Sequence, residues 1–490
     1  MSLQELQQTL QQLDRLGTLV KDRGYRQIWR FEHAGKAYYL KFYPRTKNVA
    51  RFLRGSPAYR EFTRLQWVER AEIKAPHPVA VLMGFRLGPQ TGDAVILDAI
   101  EPSVPLDSYL NKLQLDGQRP ADHRQLMLKM IGLVFQLGRA KLGHSDLNLC
   151  NFLLRDSELY LLDGYAVRRG GLRRKDVLQL GHSVARYADV RDLLRGWGSL
   201  TSHGVPPRTN PLSPRIWRKF LQRATGGNRY FGRIRVGDWN GVYFRQFKYP
   251  HRWASASQLR IDEPEWQQQW PRLLEQIEND SLPALKRSRS GDVFTAEVTL
   301  GGEPVPIIIK RPRRRYWYRY LNEIGRGSRA RRAWFKAWNL VVRNIPTAWP
   351  LLLMEKRRFG YVTDSVLICQ RVPGKDLGAV DLDAMSAGNR DNLFRRVGRT
   401  LRRIEQSGFS HFDAKSSNWM VLEDAKTGPR PVLVDVDGIR KRQWIALGLH
   451  RLLRSMRDHP QYTPADSLAL CQGYAPFAKL ARETNPPGAG

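Results

Sequence analysis

The chain is poor in cysteine, poor in acidic residues and free of long apolar runs. Its three cysteines, Cys150, Cys369 and Cys471, lie far apart in 490 residues. They make neither a zinc spacing nor a disulfide framework, which argues against a secreted disulfide scaffold and for a reducing compartment. No apolar stretch approaches the roughly 20 residues that span a bilayer. The opening Met1-Ser2-Leu3-Gln4-Glu5-Leu6 has no basic region followed by an apolar one, so no signal peptide and a cytoplasmic protein are expected. Only 46 Asp and Glu oppose 81 Lys and Arg, a formal net charge of +35. That surplus suits nucleic acid, an anionic membrane face or a phosphorylated glycolipid as partner. A Gly-x-Gly-x-x-Gly loop is also missing, and Gly24 and Gly291 are the turn glycines expected in its place.

What is present is a repeat. His144-Ser145-Asp146-Leu147-Asn148-Leu149-Cys150-Asn151 and His411-Phe412-Asp413-Ala414-Lys415-Ser416-Ser417-Asn418 both read His-x-Asp-x4-Asn. Each is followed by a short apolar strand that ends in aspartate, Asp163 or Asp435. Upstream, Tyr38-Tyr39-Leu40-Lys41-Phe42 and Ile307-Ile308-Ile309-Lys310 each read as a buried strand with one lysine. Asp146 and Asn151 recur 267 residues later, Lys41 recurs after 269 and Asp163 after 272. So long a period means domain duplication rather than a solenoid. One His-x-Asp arises by chance, but four residue types in the same order twice do not.

The length suits two domains, placed at 1–228 and 229–484 with a disordered tail at 485–490. Leu3, Leu6, Leu10, Leu13, Leu16 and Val20 predict an amphipathic helix over residues 1–20. Strand-rich sequence follows to Lys41, then a helix capped by Ser56-Pro57 and carrying Glu61. Helical sequence leads on to the catalytic loop. The stretch Gly198 to Pro214 reads as a loop, and a helix from Ser213-Pro214 to Gly226-Gly227 closes the first domain. The second domain repeats the order, with its small lobe extended by Arg229 to Pro283.

An Asp, an Asn five residues on and an Asp beyond a hairpin make a phosphoryl-transfer site, where positioning and charge neutralisation do most of the catalysis. Lys41 or Lys310 would hold nucleotide phosphates. Asp163 or Asp435 would coordinate magnesium, with Asn151 or Asn418 as a further oxygen donor. Asp146 or Asp413 would orient the acceptor hydroxyl and receive its proton. His144 and His411 are expected to brace the loop rather than do chemistry.

These motifs resemble the protein-kinase-like fold, and within it the bacterial lipopolysaccharide core kinases, the heptose and 3-deoxy-manno-octulosonic acid kinases. The loop His144 to Leu154 and the segment Arg173-Arg174-Lys175-Asp176-Val177 carry the resemblance. It implies an α+β chain of two tandem kinase-like domains, each with a small β-rich lobe and a larger helical lobe. It further implies ATP and Mg2+ as cofactors and a sugar hydroxyl of the lipopolysaccharide inner core as acceptor. The setting would be the cytoplasmic face of the inner membrane, with the protein bound peripherally to an anionic surface. Ser145 and Phe412 stand where protein kinases carry arginine, which favours a small-molecule or glycolipid acceptor over a phosphorylation-controlled kinase.

The halves differ. Glu61 can pair with Lys41, whereas Ser328 to Asn344 contains no Asp or Glu, and Glu323 precedes that helix. Lys415, two residues after Asp413, matches a lysine that contacts the transferred phosphate in protein kinases, and the first half has Asn148 there. The first domain is therefore expected to be the catalyst. The competing readings are a kinase of another small molecule or protein, and a degenerate pseudokinase scaffold that binds an anionic surface. That surface would be Lys310 to Arg332, where Tyr316, Trp317, Tyr318, Tyr320, Trp334 and Trp338 interleave with ten basic residues. Nucleic acid is disfavoured, because no helix-turn-helix, zinc or RNA-binding motif is present.

Overall fold

The computed structural model describes residues 9–10, 12–45, 55–115, 120–184, 187, 214–248, 250–313, 327–359, 361–425, 427–441 and 446–475. The expected loop at 198–213, the tail at 485–490, Leu3, Leu6, Tyr316, Trp317, Tyr318, Tyr320 and Glu323 lie outside the described residues. The chain divides into two compact units, one of residues 1–113 and 119–211, the other of 212–490 with the short segment 114–118.

The first unit begins with an antiparallel sheet of β1 (Thr18–Asp22), β2 (Gln27–His33), β3 (Lys36–Pro44), β4 (Pro78–Leu87) and β5 (Gln90–Asp98), in the order β1-β2-β3-β5-β4. Ala34 and Gly35, at φ 49° and 70°, make the left-handed turn between β2 and β3, and His33 pairs with Lys36 across it. Helix α1 (Pro57–Arg70) starts where Ser56 caps it, its hydroxyl accepting from the Tyr59 N–H at 3.4 Å. Ala58, Glu61, Leu65 and Val68 recur at helical spacing and form its buried face. A carboxylate on an otherwise apolar face needs a partner there. Helices α2 (Pro120–Arg139) and α3 (Arg174–Val184) flank the catalytic loop in sequence.

The amphipathic helix expected over residues 1–20 is not borne out in its described part. A short helix, Leu13–Leu16, stops at Gly17, whose backbone is extended, and the β-favouring Thr18-Leu19-Val20 opens β1. Leu10 and Leu13 are buried, but Leu16 and Val20 are 61 % and 53 % exposed, so the apolar period does not mark one continuous face.

The second unit opens with α4 (Pro214–Arg223), the helix that composition assigns to the end of the first domain. Its contacts lie forward in the chain. The buried Trp334 Nε1–H donates to Ala224 O at 3.0 Å, and Phe220 packs edge-on against Phe231. Gly226 and Gly227, at φ 91° and 75°, turn the chain directly into the next strand. The glycine pair is a turn within a unit, so the break falls before the helix and not at 228.

A sheet of seven strands follows: β6 (Phe231–Val236), β7 (Trp239–Phe244), β8 (Ala284–Ser288), β9 (Gly291–Leu300), β10 (Glu303–Pro312), β11 (Pro350–Arg358) and β12 (Tyr361–Gln370). Their spatial order is β6-β7-β11-β12-β10-β9-β8, so the hairpin β6–β7 extends one edge. Between the hairpin and β8 lies α5 (Glu263–Glu278), which buries Trp266, Trp270, Leu273 and Ile277. Helix α6 (Arg329–Val341) lies against the sheet, and Phe231, Phe244 and Trp349 surround its Trp338 with ring centroids 4.8, 5.7 and 5.2 Å away. Trp334 and Trp338 are fully buried, which removes them from the interfacial surface expected at Lys310 to Arg332. Helices α7 (Ala387–Gln406), α8 (Leu447–Met456) and α9 (Pro464–Tyr474) build the larger lobe.

Candidate functional site

Each catalytic loop leaves a short strand at its histidine and ends in a single 3-10 turn at its asparagine. The hairpin that follows brings the chain back to the loop. Leu162 N–H donates to Asn151 O at 2.8 Å and Val434 N–H to Asn418 O at 2.9 Å, which sets Asp163 and Asp435 one residue beyond the bonded pair. The histidines hold this return. His144 Nε2 bonds Leu162 O at 3.0 Å and His411 Nε2 bonds Asp435 O at 3.2 Å. His411 Nδ1 accepts from the Asp413 N–H at 3.2 Å, so the proton sits on Nε2. Burial lowers the pKa of both rings, that of His411 to about 4, and keeps them neutral. Both histidines therefore brace, as the residue pattern predicts.

In the first unit the expected residues meet in two groups. Lys41, on β3, bonds the fully buried Glu61 of α1, and Tyr43 OH donates to the other Glu61 oxygen at 2.5 Å. Asp146 accepts from three amides: Asn148 Nδ2 at 2.9 Å, Asn151 Nδ2 at 3.1 Å, and Gln179 Nε2 of α3. Asn151 Nδ2 also donates to Asp146 O at 2.7 Å, leaving its Oδ1 as the metal-facing donor. Asp163 adopts the left-handed conformation, φ 62° and ψ 60°, and takes an ion pair from Arg26 at 3.4 Å. Arg26, Tyr43 and Gln179 carry no motif signal, and only the fold shows their place.

The second unit keeps the loop but rearranges the charges. Asn418 Nδ2 donates to Asp413 O at 2.6 Å and to Asp413 Oδ2 at 3.3 Å, while Lys415 Nζ lies 4.0 Å from that carboxylate. Lys310 has no glutamate. Its Nζ donates to Val434 O at 2.9 Å and stands 3.9 Å from Asp435 Oδ1. Burial raises the Asp435 pKa, yet Lys310, the Asp437 N–H and nearby cations outweigh it and hold the carboxyl below its usual range. Counted from the helix caps Ser56 and Ser328, the position of Glu61 falls to Ala333, which is 6 % exposed.

The register of 272 residues is structural as well as sequential. Arg64 on α1 bonds Tyr165 O, and Lys336 on α6, 272 residues later, bonds Asp437 O at 2.7 Å. Ser183 Oγ accepts from Leu149 N–H at 3.2 Å, and Ser455 Oγ accepts from Ser416 N–H at 3.0 Å. Only the second unit adds Arg329, whose Nε donates to Asp437 Oδ2 at 2.6 Å.

Among the described residues, no group of three His, Cys, Asp or Glu is arranged to hold a metal. One aspartate and one asparagine oxygen per site suit magnesium, which takes its remaining oxygens from phosphates and water. The residues present fit that ion and would not hold a zinc.

The family described as "Lipopolysaccharide kinase (Kdo/WaaP) family" matches residues 11–178 and 329–474, more than half of the chain. The chain belongs to this family. The segment between the matched stretches contains β6 to β10 and therefore Lys310. A solved structure titled "WaaP in complex with acyl carrier protein" is similar at 19 % identity, covering 44 % of this chain and 87 % of that chain, with a TM-score of 0.33. No curated protein matches the chain. Among the described residues no helix is long and apolar enough to cross a membrane.

Proposed function

We propose that the chain transfers the terminal phosphoryl group of ATP to a sugar hydroxyl of the lipopolysaccharide inner core, and that the first unit carries the reaction. The observation that carries this reading is the pairing of Lys41 with the buried Glu61 beside a catalytic-loop Asp146 fixed by three amide donors. A lysine held by a carboxylate is pre-positioned to bind phosphate oxygens without reorganisation. Asp146, with its orientation set by Asn148, Asn151 and Gln179, is positioned to accept the proton of the attacking hydroxyl. Asp163 and Asn151 would hold magnesium, whose chemistry when bound is to neutralise phosphate charge. Arg26 would leave Asp163 for the phosphates as the metal enters. The positive surplus of the chain favours a peripheral position at the anionic inner face of the inner membrane.

A second role is proposed for the second unit: it holds substrate or scaffold rather than transfers phosphate. Lys310 is turned onto Asp435, and the helix position that would draw it away is Ala333. Incubation with labelled ATP, magnesium and either purified core lipopolysaccharide, dephosphorylated core, soluble sugars or casein tests the acceptor. Label in core lipopolysaccharide alone is expected. Label in soluble sugar or casein and none in lipopolysaccharide overturns the assignment.

A further inference from the structure

The second unit contains a cavity of about 390 Å3 on the helix side of its sheet, separate from Lys310, Asp413 and Asp435. Its floor is the edge that the hairpin β6–β7 adds. In the register of these strands Arg233 lies opposite Val242, and Val242 opposite Leu353. Asn240 lies opposite Glu355. Side chains two residues apart share a face of a strand, so Arg233, Asn240, Glu355 and Arg357 project together into the cavity they line. Arg331 and Phe335, one turn apart on α6, form the facing wall, with the Arg331 guanidinium 5.8 Å from the Phe335 ring centre.

The charges are unequal. Three arginines surround one carboxylate, Glu355. Its Oε2 accepts from Arg357 at 2.7 Å and lies 3.9 Å from Arg331, and the residue is only 6 % exposed. Its Oε1 is buried and has no hydrogen-bond partner among the described residues. Burial raises the Glu355 pKa, but Ser328, Arg357 and Arg331 outweigh it and keep the group ionised. A buried ionised oxygen without a donor is costly unless a ligand supplies one. Guanidinium groups recognise phosphate or carboxylate, whereas the free Oε1 accepts from a hydroxyl. One ligand that satisfies both is an anion that also bears hydroxyls.

We propose that this cavity binds a hydroxyl-bearing anion, a sugar phosphate or acidic sugar, with its anionic group on Arg233, Arg331 and Arg357 and a hydroxyl on Glu355 Oε1. Half of the lining, Arg233 and Asn240 included, comes from the segment outside the family match, so the cavity is an addition of this chain to the kinase unit. The wall also connects to the catalytic loop. Helix α6 carries Arg331 into the cavity and holds Asp437 through Arg329 and Lys336. Binding here therefore stiffens the helix that positions the Asp435 to Asp437 segment. The inference does not depend on the kinase reading, because binding is measured without ATP.

Isothermal titration of the full chain with mannose 6-phosphate, inorganic phosphate and mannose tests it, with core lipopolysaccharide and its dephosphorylated form as further titrants. Mannose 6-phosphate is expected to bind more tightly than inorganic phosphate, and mannose not at all. Phosphorylated core that binds more tightly than mannose 6-phosphate would make the glycolipid the source of the ligand, and the reverse order would make it a free sugar phosphate. Arg331→Ala and Arg357→Ala should each weaken the sugar phosphate by about tenfold or more. Glu355→Gln should erase the preference for sugar phosphate over phosphate, and Lys286→Ala, on the far edge strand, should change nothing. Phenylglyoxal modification gives a readout on the unaltered protein: mannose 6-phosphate should protect Arg233, Arg331 and Arg357, mapped by mass spectrometry. Undiminished binding in Arg331→Ala with Arg357→Ala, equal binding of mannose, or no protection of these arginines overturns the proposal.

Discussion

The same lysine has different company in the two units. Lys41 is bonded to a buried glutamate and leaves Asp163 to Arg26; Lys310 lies against the backbone and carboxylate of the Asp435 segment. One residue accounts for the change, since the helix position of Glu61 is occupied by Ala333. A charged lysine on a half-buried strand must find an anion. Without the helix carboxylate, the nearest anion is the aspartate proposed to carry the metal. A unit can therefore retain every motif residue of a kinase and still have its charges closed on one another.

Substitutions can break this comparison, beginning with the largest effect. Asp146→Asn should lower transfer by about a hundredfold to ten-thousandfold, the range for removing a positioned base. Asp413→Asn should leave the rate within about twofold, as measured by initial rates of label incorporation. Glu61→Ala makes the first unit resemble the second, and Lys41 should then turn to Asp163. Transfer should fall by about a hundredfold, and unfolding in urea should show a loss of roughly 3–5 kcal/mol for the broken buried pair. Trp338→Ala, in the aromatic core of the second unit, should cost about 3–5 kcal/mol of that unit's stability with little change in Asp146-dependent transfer.

Protonation gives a smaller test. Because His411 titrates near 4 when folded and near 6.5 when unfolded, the unfolded chain binds the proton first as pH falls. The ring therefore costs nothing above about pH 6.5, and stability declines between about 6.5 and 4, by up to about 3 kcal/mol. His411→Gln should flatten that decline in urea unfolding curves taken across this range. The smallest change is Ala333→Glu, which should draw Lys310 from Asp435 and strengthen nucleotide binding by the second unit a few-fold, read by fluorescent nucleotide titration.

Much of this site was legible before any fold was known. The motif His-x-Asp-x4-Asn dictates a loop whose asparagine folds back on its aspartate, and both copies do so. The missing helix carboxylate could be read directly between Ser328 and Asn344. Residues that reach the site from elsewhere could not. Arg26 comes from the β1–β2 turn, Tyr43 from two positions past the lysine and Gln179 from α3, and each is unremarkable alone. The glycine pair at 226–227 misled because turn chemistry is identical within and between domains. Trp334 and Trp338 misled because aromatic residues among arginines suit an interface and a helix's buried stripe equally well.

The most direct measurement of the asymmetry is single-turnover transfer from labelled ATP to core lipopolysaccharide by the full chain carrying Asp146→Ala or Asp413→Ala. Transfer abolished by the first and retained by the second is the predicted result. Transfer that survives Asp146→Ala and disappears with Asp413→Ala would contradict it.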